Sequence, residues 1–479
     1  MSNKFALISL GCPKNLVDSD NLTEKLTNSG LSYIDNHENA DILLINTCGF
    51  IQDAKKESIA EILKLAEIKK GQKKMQDSGC RIQDKKNRVS CIVYHESKDN
   101  NKKLIVFGCL AKRYKNDLIK EIPDIDAIFG VGEDERIVEY CKSLPIHPFT
   151  HSPTNPFTHS PIHPFTSYAY LKIAEGCSRK CTYCVIPSIR GEYKSITPDE
   201  ILKKAEGYIN AGIKELILIA QDTASYGKDL NGYDIAALLK DLCSIKGDFR
   251  IRLLYAYPAS IKESLLKVIA EEEKICNYLD IPFQHSEDRI LKLMKRGGSR
   301  NGYLNLIKKI RRAIPDIALR TTFIVGFPSE TEKEFNSLIK FIEEAEFDRL
   351  GAFKYSKEEG TPAAKLKGHL TEAIKNRRFD TIMRHQADIS LKKNKALTGR
   401  RFKALIDETG KGIAVGRLYS HAPEIDGVVI MESSKLKIKS SKLKNSELQT
   451  LNSKLKVGDF VTVEITDVYD YDLKGIIVI

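Results

Sequence analysis

Nowhere in its 479 residues does the chain carry the roughly 18 consecutive apolar residues of a membrane helix. A secretory leader is not expected either. The run Phe5–Leu10 is shorter than the roughly 7–15 residues of an h-region, and Lys14 and Asn15 follow at once. That run reads as a buried strand, and the protein is expected to be cytoplasmic, with no membrane partner. Nor is there an even-numbered disulfide framework. The eleven cysteines, at 12, 48, 80, 91, 109, 141, 177, 181, 184, 243 and 276, are an odd set in a long chain. Metal or redox use fits them better. Finally, most of the chain lacks excess basic charge. The net charge is +12, but Lys69–Lys103 holds +7 and Ser434–Lys456 holds +6, so the remainder sums to −1. Both basic stretches read as insertions, and the positive total says little about what the folded core binds.

What is present is an alternation of strand-like and helix-like segments. Phe5–Cys12, Asp41–Cys48 and Leu104–Cys109 are short, continuously apolar runs, as strands buried on both faces should be. Helix-like segments such as Asp53–Lys69 follow them, which implies a mostly parallel sheet. Residues 71–102 are polar and lysine-rich, and read as an inserted loop. Residues 146–167 form an eight-residue repeat with proline in every copy, which excludes helix and central strand and reads as an extended linker. Its histidines, at 147, 151, 159 and 163, are only compositional evidence for metal.

From Tyr168 to Lys395 the pattern resumes. Strands are expected at Tyr168–Ala174, Glu215–Ala220, Arg250–Tyr255, Tyr278–Ile281, Ile317–Val325 and Leu350–Tyr355, with helices such as Asp199–Ala211 and Thr331–Ala345 between them. Six units suggest a partial parallel barrel rather than an eightfold one. After 395, short strands at Phe402–Asp407, Gly412–Leu418, Gly427–Met431, Phe460–Asp467 and Gly475–Ile479 suggest a small antiparallel five-stranded barrel, interrupted by the loop 434–456. The fold class is therefore α/β with four segments. They are 1–144 with its loop 71–102, a linker 145–167, a partial (β/α)6 barrel 168–395, and a small β-barrel 396–479.

The most specific local signal is Cys177-Ser-Arg-Lys-Cys181-Thr-Tyr-Cys184. With this cysteine content the spacing is expected by chance only about 0.006 times. Three thiolates in one loop suit an iron–sulfur cluster or zinc. Structural zinc wants a fourth ligand, and no nearby His or Cys supplies one. A 4Fe-4S cluster on three cysteines leaves one iron open to a substrate or cofactor. The loop follows the first expected barrel strand, at the edge where barrel enzymes place their chemistry. A second set is dispersed. Cys12, Cys48 and Cys109 each end an expected parallel strand. Buried cysteine is a common small hydrophobe, but the matched placement of all three favours ligation if the strands are neighbours. Cys80, Cys91, Cys141, Cys243 and Cys276 receive no role.

These residues resemble the radical S-adenosylmethionine (SAM) methylthiotransferases. Cys177–Cys184 matches the radical SAM signature, in which an aromatic, here Tyr183, precedes the third cysteine. Ser9–Asn15 (SLGCPKN), Asn46–Phe50 (NTCGF), Ile186–Gly191 (IPSIRG), Tyr278–Pro282 (YLDIP) and Thr322–Pro328 (TFIVGFP) are similar to the family's motifs, and the small barrel to its TRAM domain. Gln221–Gly227 (QDTASYG), Tyr255–Pro258 (YAYP), Glu358–Ala363 (EEGTPA) and Ala422–Gly427 (APEIDG) resemble the members that modify an aspartate of small-subunit ribosomal protein S-twelve. Cys12-Pro-Lys-Asn stands where tRNA-modifying relatives have Cys-Gln-Met-Asn.

The resemblance implies two 4Fe-4S clusters, one on Cys177, Cys181 and Cys184 and an auxiliary one on Cys12, Cys48 and Cys109. The first would chelate SAM at its open iron and cleave it with one electron, giving a 5′-deoxyadenosyl radical able to take hydrogen from an unactivated carbon. The second would hold and deliver sulfur. Tyr183, Gln221 and Asp222 are candidates for binding SAM, although strand-end capping fits the last two equally well. The implied partners are the ribosomal protein or small subunit, an electron donor and a sulfur source. The alternative substrate, a tRNA adenosine derivative, is disfavoured by charge. Without 434–456, residues 396–479 hold six Lys/Arg against ten Asp/Glu, whereas a surface that grips phosphate should be basic.

Overall fold

The computed structural model describes residues 3–71, 102–144, 166–410, 412–437 and 455–478. The proline-repeat histidines, Cys80, Cys91 and most of the three low-complexity stretches lie outside these residues. The chain forms two compact units, Met1–Pro156 and Phe157–Ile479.

The first unit is a five-stranded sheet of β1 (Lys4–Ser9), β2 (Ser32–Tyr33), β3 (Ile42–Thr47), β4 (Lys103–Gly108) and β5 (Ala127–Ile128), in the order β2-β1-β3-β4-β5. Every pair is parallel. β3 is buried along its whole length, because helices cover both faces of such a sheet. Ala6, Leu43, Ile45, Leu104 and Val106 form its core with Ile62, Leu65, Leu110 and Leu118. The three strands expected to carry cysteines are adjacent, with Phe5 opposite Ile42 and Ile42 opposite Lys103. They stop at Ser9, Thr47 and Gly108, so each cysteine lies just beyond its strand rather than in it.

The second unit begins with β6 (Tyr168–Lys172). A two-residue antiparallel ladder, β7 (Ala174–Glu175) with β8 (Lys194–Ser195), then closes the cysteine loop. β9 (Glu215–Ile219), β10 (Arg250–Leu253), β11 (Ile275–Asp280), β12 (Ala318–Val325) and β13 (Arg349–Lys354) complete an open parallel sheet in the order β13-β12-β11-β10-β9-β6. All six expected strands are present, each within a few residues. Helices alternate with them, among them Pro198–Asn210 and Glu332–Ala345; Thr331 and Glu334 cap the latter reciprocally.

The C-terminal part is a closed barrel of β14 (Arg401–Gly410), β15 (Ile413–Arg417), β16 (Val429–Lys437), β17 (Phe460–Val468) and β18 (Leu473–Val478), in the order β14-β15-β16-β18-β17. It is not wholly antiparallel: β16 and β18 run parallel. Five strands in a ring cannot alternate direction at every seam, so closure requires one parallel pair. β16 also runs to Lys437, into the stretch expected to be loop, because its pairing with β18 resumes there after a register shift.

This barrel meets the amino-terminal edge of the six-stranded sheet. Glu215 and Arg250, the first residues of β9 and β10, are buried with Arg252 and Arg417. The connection from β15 to β16 bonds four other strands. His421 meets Arg349, Glu424 accepts from the Tyr168 hydroxyl, and Asp426 accepts from Tyr278 and faces Arg320. The carboxyl-terminal edge of the sheet is where the cysteine loop lies.

Candidate active site

The cysteine loop leaves β7 through Gly176, whose φ of +74° is a left-handed conformation. A Cβ there would collide with the Glu192 carbonyl, so only glycine lets the two sides of the loop close. Cys177 N–H donates to Gly191 O at 3.0 Å. Thr182 is tied by its N–H to Met294 O (2.9 Å), by its hydroxyl to Leu293 O (2.8 Å), and by its carbonyl to Ala363 N (2.9 Å). Two of the sulfurs accept backbone donors: Arg179 N–H at Cys177 Sγ and Ile186 N–H at Cys184 Sγ, each at 3.4 Å. Burial pushes the Cys177 thiol up and the Cys184 thiol to about 12. A bound cation would reverse that and deprotonate them.

Beside the loop two carboxylates, Glu175 and Asp222, gather the polar groups. Glu175 accepts from Lys172 (2.8 Å), Arg190 (3.0 Å), Gln221 Nε2 (3.1 Å) and Gly176 N (3.1 Å). Despite burial, its neighbouring cations Lys172 and Arg190 hold its carboxyl down at about 2. Gln221 Oε1 is buried and has no hydrogen-bond partner among the described residues. Asp222 is fully engaged. Its carboxylate accepts from Arg179 (3.0 Å), Ser225 (2.6 Å), Ser260 (2.9 Å) and Tyr257 N (3.2 Å). It therefore anchors Arg179, a residue of the cysteine loop. Tyr183 lies half-buried beside the cluster of Ile290, Met294, Ile324 and Phe327.

In the first unit Cys12, Cys48 and Cys109 stand at one edge of the sheet, beyond β1, β3 and β4. Cys12 is exposed and precedes the helix Pro13–Asn28; Cys48 and Cys109 are buried. Gly11, at φ +97°, lets the turn approach Cys48. A Cβ there would come within 2.9 Å of Cys48 Sγ. One side chain joins the three strand ends. Asn15 Nδ2 donates to Leu10 O (2.8 Å) and Thr47 O (3.3 Å), and its Oδ1 lies 3.6 Å from Cys109 Sγ. Asn46 Nδ2 in turn donates to Asn15 O (2.8 Å) and to Ser19 Oγ (2.9 Å).

The structure thus brings each cysteine trio into one neighbourhood, although among the described residues no three His, Cys, Asp or Glu side chains already stand at metal-ligand spacing. The Cys177 loop fits iron–sulfur chemistry: three thiols on one short loop, with N–H donors aimed at sulfur. Sequence reasoning missed Asn15 as a tie, Glu175 as a hub, and the pair Tyr257 and Arg296. Asn15 and Tyr257 lie inside motifs already singled out, whereas Arg296 carries no local signal.

Residues 171–342 match the model of the Radical SAM superfamily, 4–95 that of the uncharacterized protein family UPF0004, and 398–478 that of the TRAM domain. The fold is shared with the radical SAM methyltransferase TsrM of Kitasatospora setae. That match has a TM-score of 0.52 and 11% identity over 87% of this chain and 77% of that one. Fold and site together define a radical SAM enzyme, a class that binds SAM and a 4Fe-4S cluster. The ribosomal protein uS12 methylthiotransferase RimO of Thermodesulfovibrio yellowstonii is 52% identical over 474 residues, 99% of each chain. That of Clostridioides difficile is 42% identical over 98% of each. The chain belongs to this RimO family of methylthiotransferases. Among the described residues, no helix is long and apolar enough to cross a membrane.

Proposed function

We propose that this enzyme methylthiolates ribosomal protein uS12, at the β-carbon of an aspartate. The observation that carries the reading is the 52% identity to a uS12 methylthiotransferase across 99% of both chains. Cys177, Cys181 and Cys184 hold the radical SAM cluster, which when bound supplies the electron that cleaves SAM. Cys12, Cys48 and Cys109 hold a second 4Fe-4S cluster for sulfur delivery. Glu175 and Gln221 take the polar end of SAM; the unpartnered, buried Gln221 Oε1 suits an ammonium donor. Asp222 orients Arg179 within the cysteine loop. A low-potential electron donor and a sulfur source complete the reaction, and the enzyme works in the cytoplasm. The boundaries 1–144, 145–167, 168–395 and 396–479 separate the working parts.

Charge supports a basic protein over tRNA. On the C-terminal barrel Glu464, Asp407 and Glu432 meet Arg401, Arg417 and Lys474. Glu408, Asp467 and Asp470 are exposed. An acidic surface suits a ribosomal protein and repels phosphate. The test is anaerobic reconstitution and incubation with uS12, small subunits and tRNA, followed by mass spectrometry. A methylthio group on uS12 alone is expected; a modified tRNA base with unmodified uS12 would overturn the substrate.

A further inference from the structure

The three sulfurs of the Cys177 loop are not served alike. Cys177 and Cys184 accept backbone N–H groups, whereas Cys181 is met by side chains: Arg296 Nη1 lies 4.0 Å from Cys181 Sγ, and the Tyr183 hydroxyl also bonds to Cys181. That guanidinium is held in place. It sits 4.2 Å from the Tyr257 ring centroid, and its Nη2 donates to the Pro282 carbonyl. Arg179, itself anchored on Asp222, lies 3.7 Å from the same ring. The backbone around Arg296 is fixed as well. Lys295 adopts a left-handed φ of +48°, Arg296 N–H closes onto Leu291 O at 2.9 Å, and Gly297 N–H donates to the Tyr257 hydroxyl at 3.1 Å. A strained turn, an aromatic platform and a carbonyl together aim one permanent cation at one sulfur.

We propose that Arg296 sets the reduction potential of the cluster held by Cys177, Cys181 and Cys184. This rests on the proposed assignment of that cluster. Reduction adds one electron, from a low-potential one-electron donor, and makes the cluster more negative without taking up a proton. A fixed cation and an N–H donor at a ligand sulfur stabilise the reduced form over the oxidised one, so they raise the potential. Arginine carries its charge at all working pH values, so the contribution is constant. Arg296 is a positioning residue, acting on the cluster through Cys181 rather than on substrate.

The experiment uses the full chain with Cys12, Cys48 and Cys109 replaced by alanine, so that one cluster titrates. Iron and sulfide are counted, then the reduced signal is followed by electron paramagnetic resonance during a dithionite titration. Arg296→Met should bind the same iron and titrate at a more negative midpoint. Arg296→Lys should fall between it and the parent. Arg312→Met, which removes an exposed arginine, should titrate as the parent. A midpoint in Arg296→Met equal to or above the parent overturns the proposal. If Arg296→Met binds no iron, Arg296→Lys and Tyr257→Leu decide, since the first replaces the guanidinium by a mobile ammonium and the second removes the ring that holds it; unchanged midpoints in both overturn it. If the parent itself binds no cluster, the ligand assignment fails before the Arg296 proposal is reached.

Discussion

Arg417 Nη1 lies 2.6 Å from Glu215 Oε2, 202 residues away in the chain, with both side chains buried. Arg250 at 2.9 Å and Arg252 at 2.6 Å share the same carboxylate, whose pKa the three guanidiniums hold well below the usual range. Asp407 steadies Arg417 from the other side at 2.7 Å. The junction between the parallel sheet and the small barrel is thus a buried ionic cluster centred on one glutamate.

Removing the centre should cost more than removing one spoke. Glu215→Gln leaves Arg250 and Arg252 without an anion and Arg417 with Asp407 alone, and should destabilise by about 3–5 kcal/mol, the usual cost of orphaning buried charge. Arg417→Met leaves Glu215 with two partners and should cost less. Denaturant unfolding of both variants checks the order; equal or reversed costs would show that Glu215 is not the centre.

The two cysteine trios should separate in their chemistry. Alanine at Cys177, Cys181 or Cys184 should remove about half the bound iron and abolish 5′-deoxyadenosine formation, since an open-site cluster needs all three ligands. Alanine at Cys12, Cys48 and Cys109 should leave SAM cleavage measurable and stop methylthio product. Asn15→Ala should behave like that second set, because Asn15 ties all three strand ends. Replacing Cys80 and Cys91 should leave both activities; iron loss there would reassign the ligands.

Acid should weaken the second unit through His285. The ring is fully buried. Its Nδ1 accepts from Glu287 N–H at 3.0 Å, and its Nε2 has no partner among the described residues. Burial lowers its pKa from 6.5 to about 3. The unfolded chain therefore binds a proton that the folded one refuses. The contribution is complete above pH 6.5 and declines as pH falls toward 3. At pH 4.5 the loss is about 2–3 kcal/mol, at 1.36 kcal/mol per pH unit. His285→Gln should flatten this part of the stability profile. An unchanged slope between pH 6.5 and 4.5 would show that the ring protonates in the folded state.

The sequence by itself determined the longer strands and the spacing of the cysteines in the Cys177 loop. Parallel strands covered on both faces must be apolar throughout, so β1, β3, β4 and β9 stand out without any partner being known. The spacing of Cys177, Cys181 and Cys184 is local, and its meaning does not depend on the fold. Only the tertiary structure decided the rest, because those relationships join residues far apart in the chain. It made β1, β3 and β4 neighbours, so that Cys12, Cys48 and Cys109 share an edge. It turned Asp222 toward Arg179, which lies 43 residues away. It brought Arg296 to Cys181 across 115 residues, and it placed one parallel seam in the small barrel, since a ring of five strands cannot close without one. Periodicity reports how each segment is buried; it does not report which charge meets which across hundreds of residues.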